Sequence, residues 1–138
     1  MELERVGLSG WQSCLTPGSI EIVKRVLIVD DHDAFRATAR RWLTAGGFDV
    51  VGEAIDGAQA LEAVARLRPD VVLLDVQLPD SNGFEIAARL SSNSHHPDVV
   101  LTSSREAAEF GSLVERSSAR GFIPKAELSG KRLAALLG

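Results

Sequence analysis

The chain of 138 residues has the length of one compact domain, and its 45% hydrophobic and 25% charged residues are typical of globular proteins. Its net charge of −4 argues against direct binding to nucleic acid or to an acidic membrane surface, since both need a basic surface. A single cysteine excludes an internal disulfide and a cysteine-rich zinc site, and no apolar run approaches the roughly 20 residues of a membrane helix.

The first 23 residues have no regular hydrophobic period and are interrupted by glycine and proline. They also lack the basic start and the apolar stretch of a secretory signal. Because disorder concentrates at chain ends, we predict that residues 1–23 form a poorly ordered extension. The alternative is an interaction arm that uses Leu8, Trp11 and Leu15.

From residue 24 onward the sequence alternates between two hydrophobic periods. Short apolar runs predict five strands, in chain order at 25–29, 48–53, 71–75, 98–102 and 121–123. A segment with apolar residues at helical spacing follows each strand, which predicts five helices. Asp31 or Asp33 is placed to cap the first helix, Gly46-Gly47 ends it, and Gly111 weakens the middle of the fourth. This α/β alternation predicts a parallel sheet with helices on both faces.

Ligands of such a sheet bind outside the carboxyl ends of its strands. Polar residues follow or end four of the predicted strands at that edge: Asp30, Asp31, Asp75, Thr102 and Lys125. Three neighbouring carboxylates repel one another unless a cation or protons intervene, and hard oxygen ligands suit Mg²⁺. A hydroxyl and an ammonium at the same edge suit the oxygens of a phosphoryl group. The pattern therefore predicts phosphoryl transfer onto a carboxylate, with Asp75 as the nucleophile.

Each of these residues has an ordinary structural interpretation when it is taken alone. Asp30 is placed to cap a helix, Asp75 to form a turn, and Lys125 to lie on a solvated surface. These interpretations require several independent coincidences at one end of one sheet. The combined pattern therefore favours the functional interpretation.

The same residues resemble the receiver domains of bacterial two-component response regulators. The matching motifs are, in order, VLIVDDH at 26–32, DVVLLDVQLPDSNGFE at 70–85, VVLTSS at 99–104 and GFIPKAEL at 121–128. The resemblance covers residues 24–138, which we expect to form one receiver domain. It implies a doubly wound, flavodoxin-like fold of five strands and five helices with the strand order 2-1-3-4-5.

The resemblance also implies roles for the acidic residues. Asp75 would accept a phosphoryl group from a sensor histidine kinase or a phosphotransfer protein. Asp31 and Asp75 would bind Mg²⁺ directly, Asp30 would help through water, and the carbonyl of Gln77 would supply a further oxygen. Such a protein is a phosphoacceptor signalling domain rather than an enzyme, although weak self-phosphorylation and self-dephosphorylation are compatible with it.

The resemblance implies that the remaining motif residues respond to phosphorylation. Lys125 would pair with the phosphoryl oxygens, Thr102 would move toward them, and Phe122 would change rotamer in step. A phosphoryl group adds charge and three acceptor oxygens, which is enough to bias a two-state arrangement of the fourth strand and helix.

We expect the domain to signal by binding to another protein. The fifth predicted helix leaves no length for a helix-turn-helix, so we expect a stand-alone, single-domain receiver in the cytoplasm, without direct nucleic acid contact or membrane insertion. The resemblance implies that the helix 4–strand 5–helix 5 face binds a downstream protein or a second copy. Candidate contacts on that face are Arg105, Glu109, Arg120 and Lys131.

Three other functions make different demands on these residues. A hydrolase of the haloacid dehalogenase kind needs a second acid two residues after the nucleophile, where this chain has Gln77. A dinucleotide-binding enzyme needs a glycine-rich turn after the first strand, where this chain has an acidic run. The third, an interaction module of the same fold that is regulated without phosphorylation, stays open as the alternative.

Overall fold

The computed structural model describes residues 23–105 and 107–138. The predicted extension therefore lies outside the described residues, apart from Val23, and its order stays a prediction. Within the described ranges, no helix combines the length and the apolar character that crossing a membrane requires.

A parallel sheet of five strands forms the centre of the domain. The strands are β1 (Arg25–Val29), β2 (Asp49–Ala54), β3 (Val71–Asp75), β4 (Asp98–Ser103) and β5 (Gly121–Pro124). They lie in the order β2-β1-β3-β4-β5, which confirms the predicted topology. All four neighbouring pairs are parallel, so the carboxyl ends of the strands meet at one edge.

Helices connect the strands and cover both faces of the sheet. They are α1 (Asp33–Ala45), α2 (Gly57–Leu67), α3 (Gly83–Ser91), α4 (Leu113–Arg116) and α5 (Gly130–Leu137), with 3₁₀ turns at Ala107–Phe110 and Lys125–Glu127. Alternate residues of β1 and β3 enter two separate cores, because successive side chains of a strand point to opposite faces. One core packs against α2 and α3, and the other packs against α1 and α5. Burial on both faces holds the strand ends in place at the carboxyl edge.

The predicted cap of the first helix was wrong. His32 is the N-cap residue of α1, and its side chain makes no capping hydrogen bond. Oδ1 of Asp31 lies 3.2 Å from Nδ1 of His32, and Asp33 is already the first helical residue, where it pairs with Arg36. Both carboxylates that were candidates for the cap therefore have other partners.

The prediction of one continuous fourth helix was also wrong. The segment divides into the 3₁₀ turn Ala107–Phe110 and the four-residue α4. Gly111 lies between them with a φ of 57°, in the left-handed region that a glycine adopts at little cost. Val114, in α4, is only half-buried. Gly111 thus interrupts the helix that it was expected only to weaken.

Candidate functional site

Three carboxylates meet at the carboxyl ends of β1 and β3. Asp30 directly follows β1 and is fully buried, and Asp75 ends β3 and is also buried. Asp31 lies at the rim with its side chain 36% exposed. One oxygen from each carboxylate and a ring nitrogen of His32 all lie within 4.8 Å of one another. The structure thus brings together the three predicted acids and adds His32, which the sequence analysis had not singled out.

The ammonium of Lys125 lies against both buried carboxylates. Its Nζ atom is 2.6 Å from Oδ2 of Asp30 and 3.4 Å from Oδ2 of Asp75. The same Nζ atom lies 4.5 Å from the centroid of the Phe35 ring, on α1. Lys125 directly follows β5, so the parallel register of the sheet carries this cation to the acids. One positive charge therefore compensates two buried negative charges.

The carboxyl group of Asp75 resists ionisation more than an ordinary aspartic acid. Burial and the charge of Asp30 raise its pKa from 3.8 to about 6, although Lys125 and the N–H of Gln77 favour the charged form. That N–H donates to Oδ1 of Asp75 over 3.2 Å. At neutral pH Asp75 is mainly ionised and can act as a nucleophile, at an electrostatic cost that a further cation would reduce.

The donor atoms of the cluster fit Mg²⁺. Oδ2 of Asp30 is buried and has no hydrogen-bond partner among the described atoms, because its contact with Lys125 is an ion pair without hydrogen-bond geometry. Carboxylate oxygens gathered within a few ångströms are the hard ligands that Mg²⁺ prefers. Gln77 stands in the loop after β3, where it forms a bridge with Asn82, and the role of its carbonyl as a ligand stays a prediction.

Thr102 and Phe122 lie beside this cluster on β4 and β5. Thr102 pairs with Asp75 in the register of β3 and β4, and its hydroxyl is buried without a hydrogen-bond partner among the described atoms. Leaving such a group unpaired costs about 1–3 kcal/mol, so a ligand that offered it an oxygen would be favoured. The half-buried ring of Phe122 lies 5.6 Å, between centroids, from that of Phe110, which is 5.8 Å from that of Phe84.

The loop after β3 is anchored to the start of α2 by Asp80. Its Oδ1 and Oδ2 accept hydrogen bonds from the N–H groups of Gly57 (2.8 Å) and Ala58 (3.0 Å). These bonds lower the pKa of Asp80, as expected for a carboxylate at a helix N-terminus. The sequence does not predict this anchor, because a contact between segments 22 residues or more apart leaves no local pattern.

Gly83, the first residue of α3, packs directly against the backbone of Asp75. A Cβ atom at this position would lie 2.6 Å from the carbonyl oxygen of Asp75 and 2.9 Å from Cα of Val76. We expect Gly83→Ala to lower the free energy of unfolding by about 2 kcal/mol, because backbone atoms of a buried strand cannot yield separately. Urea denaturation measures this loss.

Glu85→Ala is the matched control for that substitution. Glu85 is exposed in the same turn of α3, so its truncation should change the free energy of unfolding by only about 0.5 kcal/mol. If both variants were equally stable, the close approach of Gly83 to the strand would have no energetic importance.

Comparisons with known proteins agree with this geometry. Residues 26–137 match a family model described as the response regulator receiver domain. The transcriptional regulatory protein PdtaR of Mycobacterium tuberculosis is 32% identical over 126 residues, which cover 85% of this chain and 62% of that protein. The chain thus spans less than two thirds of this longer relative.

Solved receiver domains have the same fold. A signal receiver domain of Mycobacterium tuberculosis is 35% identical, with a TM-score of 0.74 over 84% of this chain and 98% of that one. The chemotaxis response regulator CheY4 of Vibrio cholerae is 25% identical, with a TM-score of 0.72 over 84% of this chain and 97% of that one.

Proposed function

We infer that this chain, which belongs to the family of response regulator receiver domains, accepts a phosphoryl group on Asp75. The observation that carries the proposal is the pair of buried carboxylates, Asp30 and Asp75, that shares the ammonium of Lys125. In this arrangement the carboxylate of Asp75 is the anion that attacks phosphorus, and the ammonium of Lys125 lies beside it. The donor that fits is a phosphohistidine of a sensor histidine kinase or of a phosphotransfer protein.

The covalent step exchanges one bond to phosphorus for another. A carboxylate oxygen of Asp75 forms a bond to phosphorus while the bond between phosphorus and the donor imidazole nitrogen breaks. The electron pair of that bond stays on the imidazole, which takes up a proton. Lys125, with its Nζ atom 3.4 Å from Oδ2 of Asp75, is placed to pair with the oxygens of the transferred group.

Mg²⁺ is the proposed cofactor of this step. We assign Asp31 and Asp75 as direct ligands, Asp30 as a ligand through water, and the carbonyl of Gln77 as a further oxygen. When bound, the ion neutralises the carboxylates and the phosphoryl oxygens that would otherwise repel each other. Oδ2 of buried Asp30, which has an ion pair with Lys125 but no hydrogen bond among the described atoms, supports this assignment.

Thr102 and Phe122 are proposed to carry the response to phosphorylation. The hydroxyl of Thr102, which has no hydrogen-bond partner within the described ranges, gains an acceptor when a phosphoryl oxygen arrives on Asp75, its register partner. A displacement of β4 would reach Phe122, which packs against Phe110 in the turn before α4. The aromatic contact therefore connects the phosphorylated site to the 3₁₀ turn Ala107–Phe110 and α4, which together form the α4 segment.

The proposed partner surface consists of α4, β5 and α5 and binds a downstream protein or a second copy of the chain. Arg105 and Lys131 are exposed and suit this role. Arg120 is already engaged, because its guanidinium donates to the carbonyls of Leu136 and Leu137 at the end of α5. We therefore favour a structural role for Arg120 over a partner contact.

Phosphorylation by a small acyl phosphate tests the proposed acceptor. In the presence of Mg²⁺ we expect the protein to gain the mass of one phosphoryl group, in an adduct that is stable in acid and labile in base. Asp75→Asn should abolish the adduct, because an amide is not a nucleophile of this kind. Removal of Mg²⁺, or Asp31→Ala, should suppress it strongly. Intact-mass spectrometry measures all of these outcomes.

Asp49→Asn is the control variant for this experiment. Asp49 is an exposed acid at the opposite, amino-terminal end of β2, so its substitution should leave the adduct unchanged. An adduct that persists in Asp75→Asn would contradict the proposed acceptor. Partner binding that ignores both phosphorylation and Asp75→Asn would instead favour an interaction module regulated without phosphate.

A further inference from the structure

Arg36 holds the peptide that joins the two acidic residues of the site. The N–H of Asp30 donates to the carbonyl of Ala54 in β2, over 3.0 Å. The carbonyl of Asp30, which belongs to the peptide between Asp30 and Asp31, accepts a 2.7 Å hydrogen bond from Nη1 of Arg36. The plane of this peptide decides the direction in which the side chain of Asp31 leaves the backbone. Arg36 thus bonds to the backbone between the two acidic residues, whereas the carboxylate of Asp30 contacts His32 and Lys125.

The guanidinium of Arg36 is itself held in place. Its Nε donates to Oε1 of Glu53 in β2 over 2.9 Å, and its Nη2 pairs with Asp33 in the first turn of α1. The other oxygen of Glu53 accepts a 2.7 Å hydrogen bond from Nε of Arg40. Burial opposes the ionisation of Glu53, but the two arginines outweigh it and lower its pKa. The side chain of Arg36 is only 12% exposed, so these bonds are largely shielded from water.

We propose that Arg36 is a positioning residue for cation binding, because it fixes the peptide between Asp30 and Asp31 and thereby the direction of their carboxylates. This inference rests on the proposed function, since it assumes that the acidic cluster binds a divalent cation. It goes beyond that function because it assigns a role to a residue outside the cluster. The role is that of the hydrogen-bonded partners that orient the ligands of metal sites.

The positioning role and a simple effect of charge predict opposite results. If Arg36 acted only through its positive charge, its removal would reduce repulsion and tighten the binding of a cation. If Arg36 positions the acidic residues, its removal should weaken binding although a positive charge has been lost. The sign of the change therefore distinguishes the two roles.

Mn²⁺ is a suitable probe, because it accepts the same oxygen ligands as Mg²⁺ and its free ion is measured directly by electron paramagnetic resonance. We expect Arg36→Met to raise the Kd for Mn²⁺ about tenfold. The matched control is Arg40→Met, which removes an equal charge and a bond to Glu53. Among the described residues, Arg40 donates to Glu53 and to the carbonyl of Val50 and not to Asp30, so we expect an unchanged or lower Kd.

Two failures of this experiment have different meanings. If the natural chain did not bind Mn²⁺, the proposed function itself would be overturned. If the natural chain bound Mn²⁺ and Arg36→Met bound it equally well or more tightly, only the positioning role would be overturned.

Arg36→Lys provides a second test and keeps the proposal falsifiable if Arg36→Met does not fold. It retains the charge, but a single ammonium cannot reproduce the guanidinium's separate bonds to Asp30 and Glu53. A raised Kd in a variant that is folded by circular dichroism supports positioning, and an unchanged Kd contradicts it.

Discussion

Lys125→Met is expected to lower the free energy of unfolding by about 3 kcal/mol at neutral pH without divalent cations. The substitution removes an ammonium that lies within 3.4 Å of both Asp30 and Asp75, and it leaves two buried carboxylates close together. Removal of one partner from a buried ion pair costs several kcal/mol, because the remaining charge loses its compensation. Methionine has a similar length but no charge, so the loss reflects the ammonium, including its cation–π contact with the Phe35 ring. Urea denaturation measures it.

Two conditions should reduce this loss. Acidic pH protonates the carboxylates, and excess Mg²⁺ supplies another positive charge, so the variant should recover part of its stability in either case. Lys131→Met is the control, because Lys131 is exposed on α5 and the same substitution there should have little effect. Equal stability of the two variants would show that Lys125 does not compensate the buried acids.

Because of Asp75, the free energy of unfolding of the metal-free protein should decrease as the pH rises from about 4 to about 6. The pKa of Asp75 is about 6 in the folded protein and near 3.8 in the unfolded chain, so in this range the folded state binds the extra proton. The stabilisation by this proton is complete below the pKa of the unfolded chain and is lost as the pH rises through the pKa of the folded protein. The difference in pKa corresponds to about 2–3 kcal/mol.

Asp75→Asn isolates this effect from the other acids. As the pH rises over the same range, Asp75→Asn should gain about 2–3 kcal/mol in free energy of unfolding relative to the natural chain. At higher pH this difference should stay constant. Denaturation curves at several pH values, with a chelator present, measure the difference. A difference independent of pH would mean that Asp75 ionises as an ordinary exposed aspartic acid does.

The strands and the acidic site were predictable because their signals are local. Each strand is a short apolar run, and the predicted bounds agree with β1 and β3 and differ by only one residue for the others. Asp30 and Asp75 stand at strand ends, and parallel pairing brings strand ends to one edge whatever the intervening helices do. The position of a carboxylate at this edge therefore follows from the sequence.

The division of the α4 segment could not be derived from helical periodicity. Phe110 and Val114 have the spacing of one helix, but Gly111 adopts a left-handed backbone and interrupts it. Periodicity records which side chains are apolar, whereas the cost of a helical break depends on contacts with the rest of the fold. In this structure, Phe110 is held between the rings of Phe84 and Phe122.

The hydrogen-bond network around Arg36 could not be predicted from the sequence either. An arginine one turn into an amphipathic helix has the appearance of a solvated residue, and its bonds to Asp30 and Glu53 join three different segments. The same holds for Asp80, whose partners belong to the start of α2. Hydrogen bonds between distant segments have no period in the sequence.

The sequence by itself determined the α/β class, the family resemblance, and the set of acids, hydroxyl and lysine at one edge of the sheet. Those features depend on hydrophobic periods and on residue type at strand ends, which are properties of short segments. Only the tertiary structure decided which atoms meet: that Lys125 lies against both Asp30 and Asp75, that the hydroxyl of Thr102 has no partner among the described atoms, and that Arg36 holds the Asp30 carbonyl. Distances of a few ångströms decide charge compensation, desolvation and pKa, and such distances are set by packing between segments rather than within them.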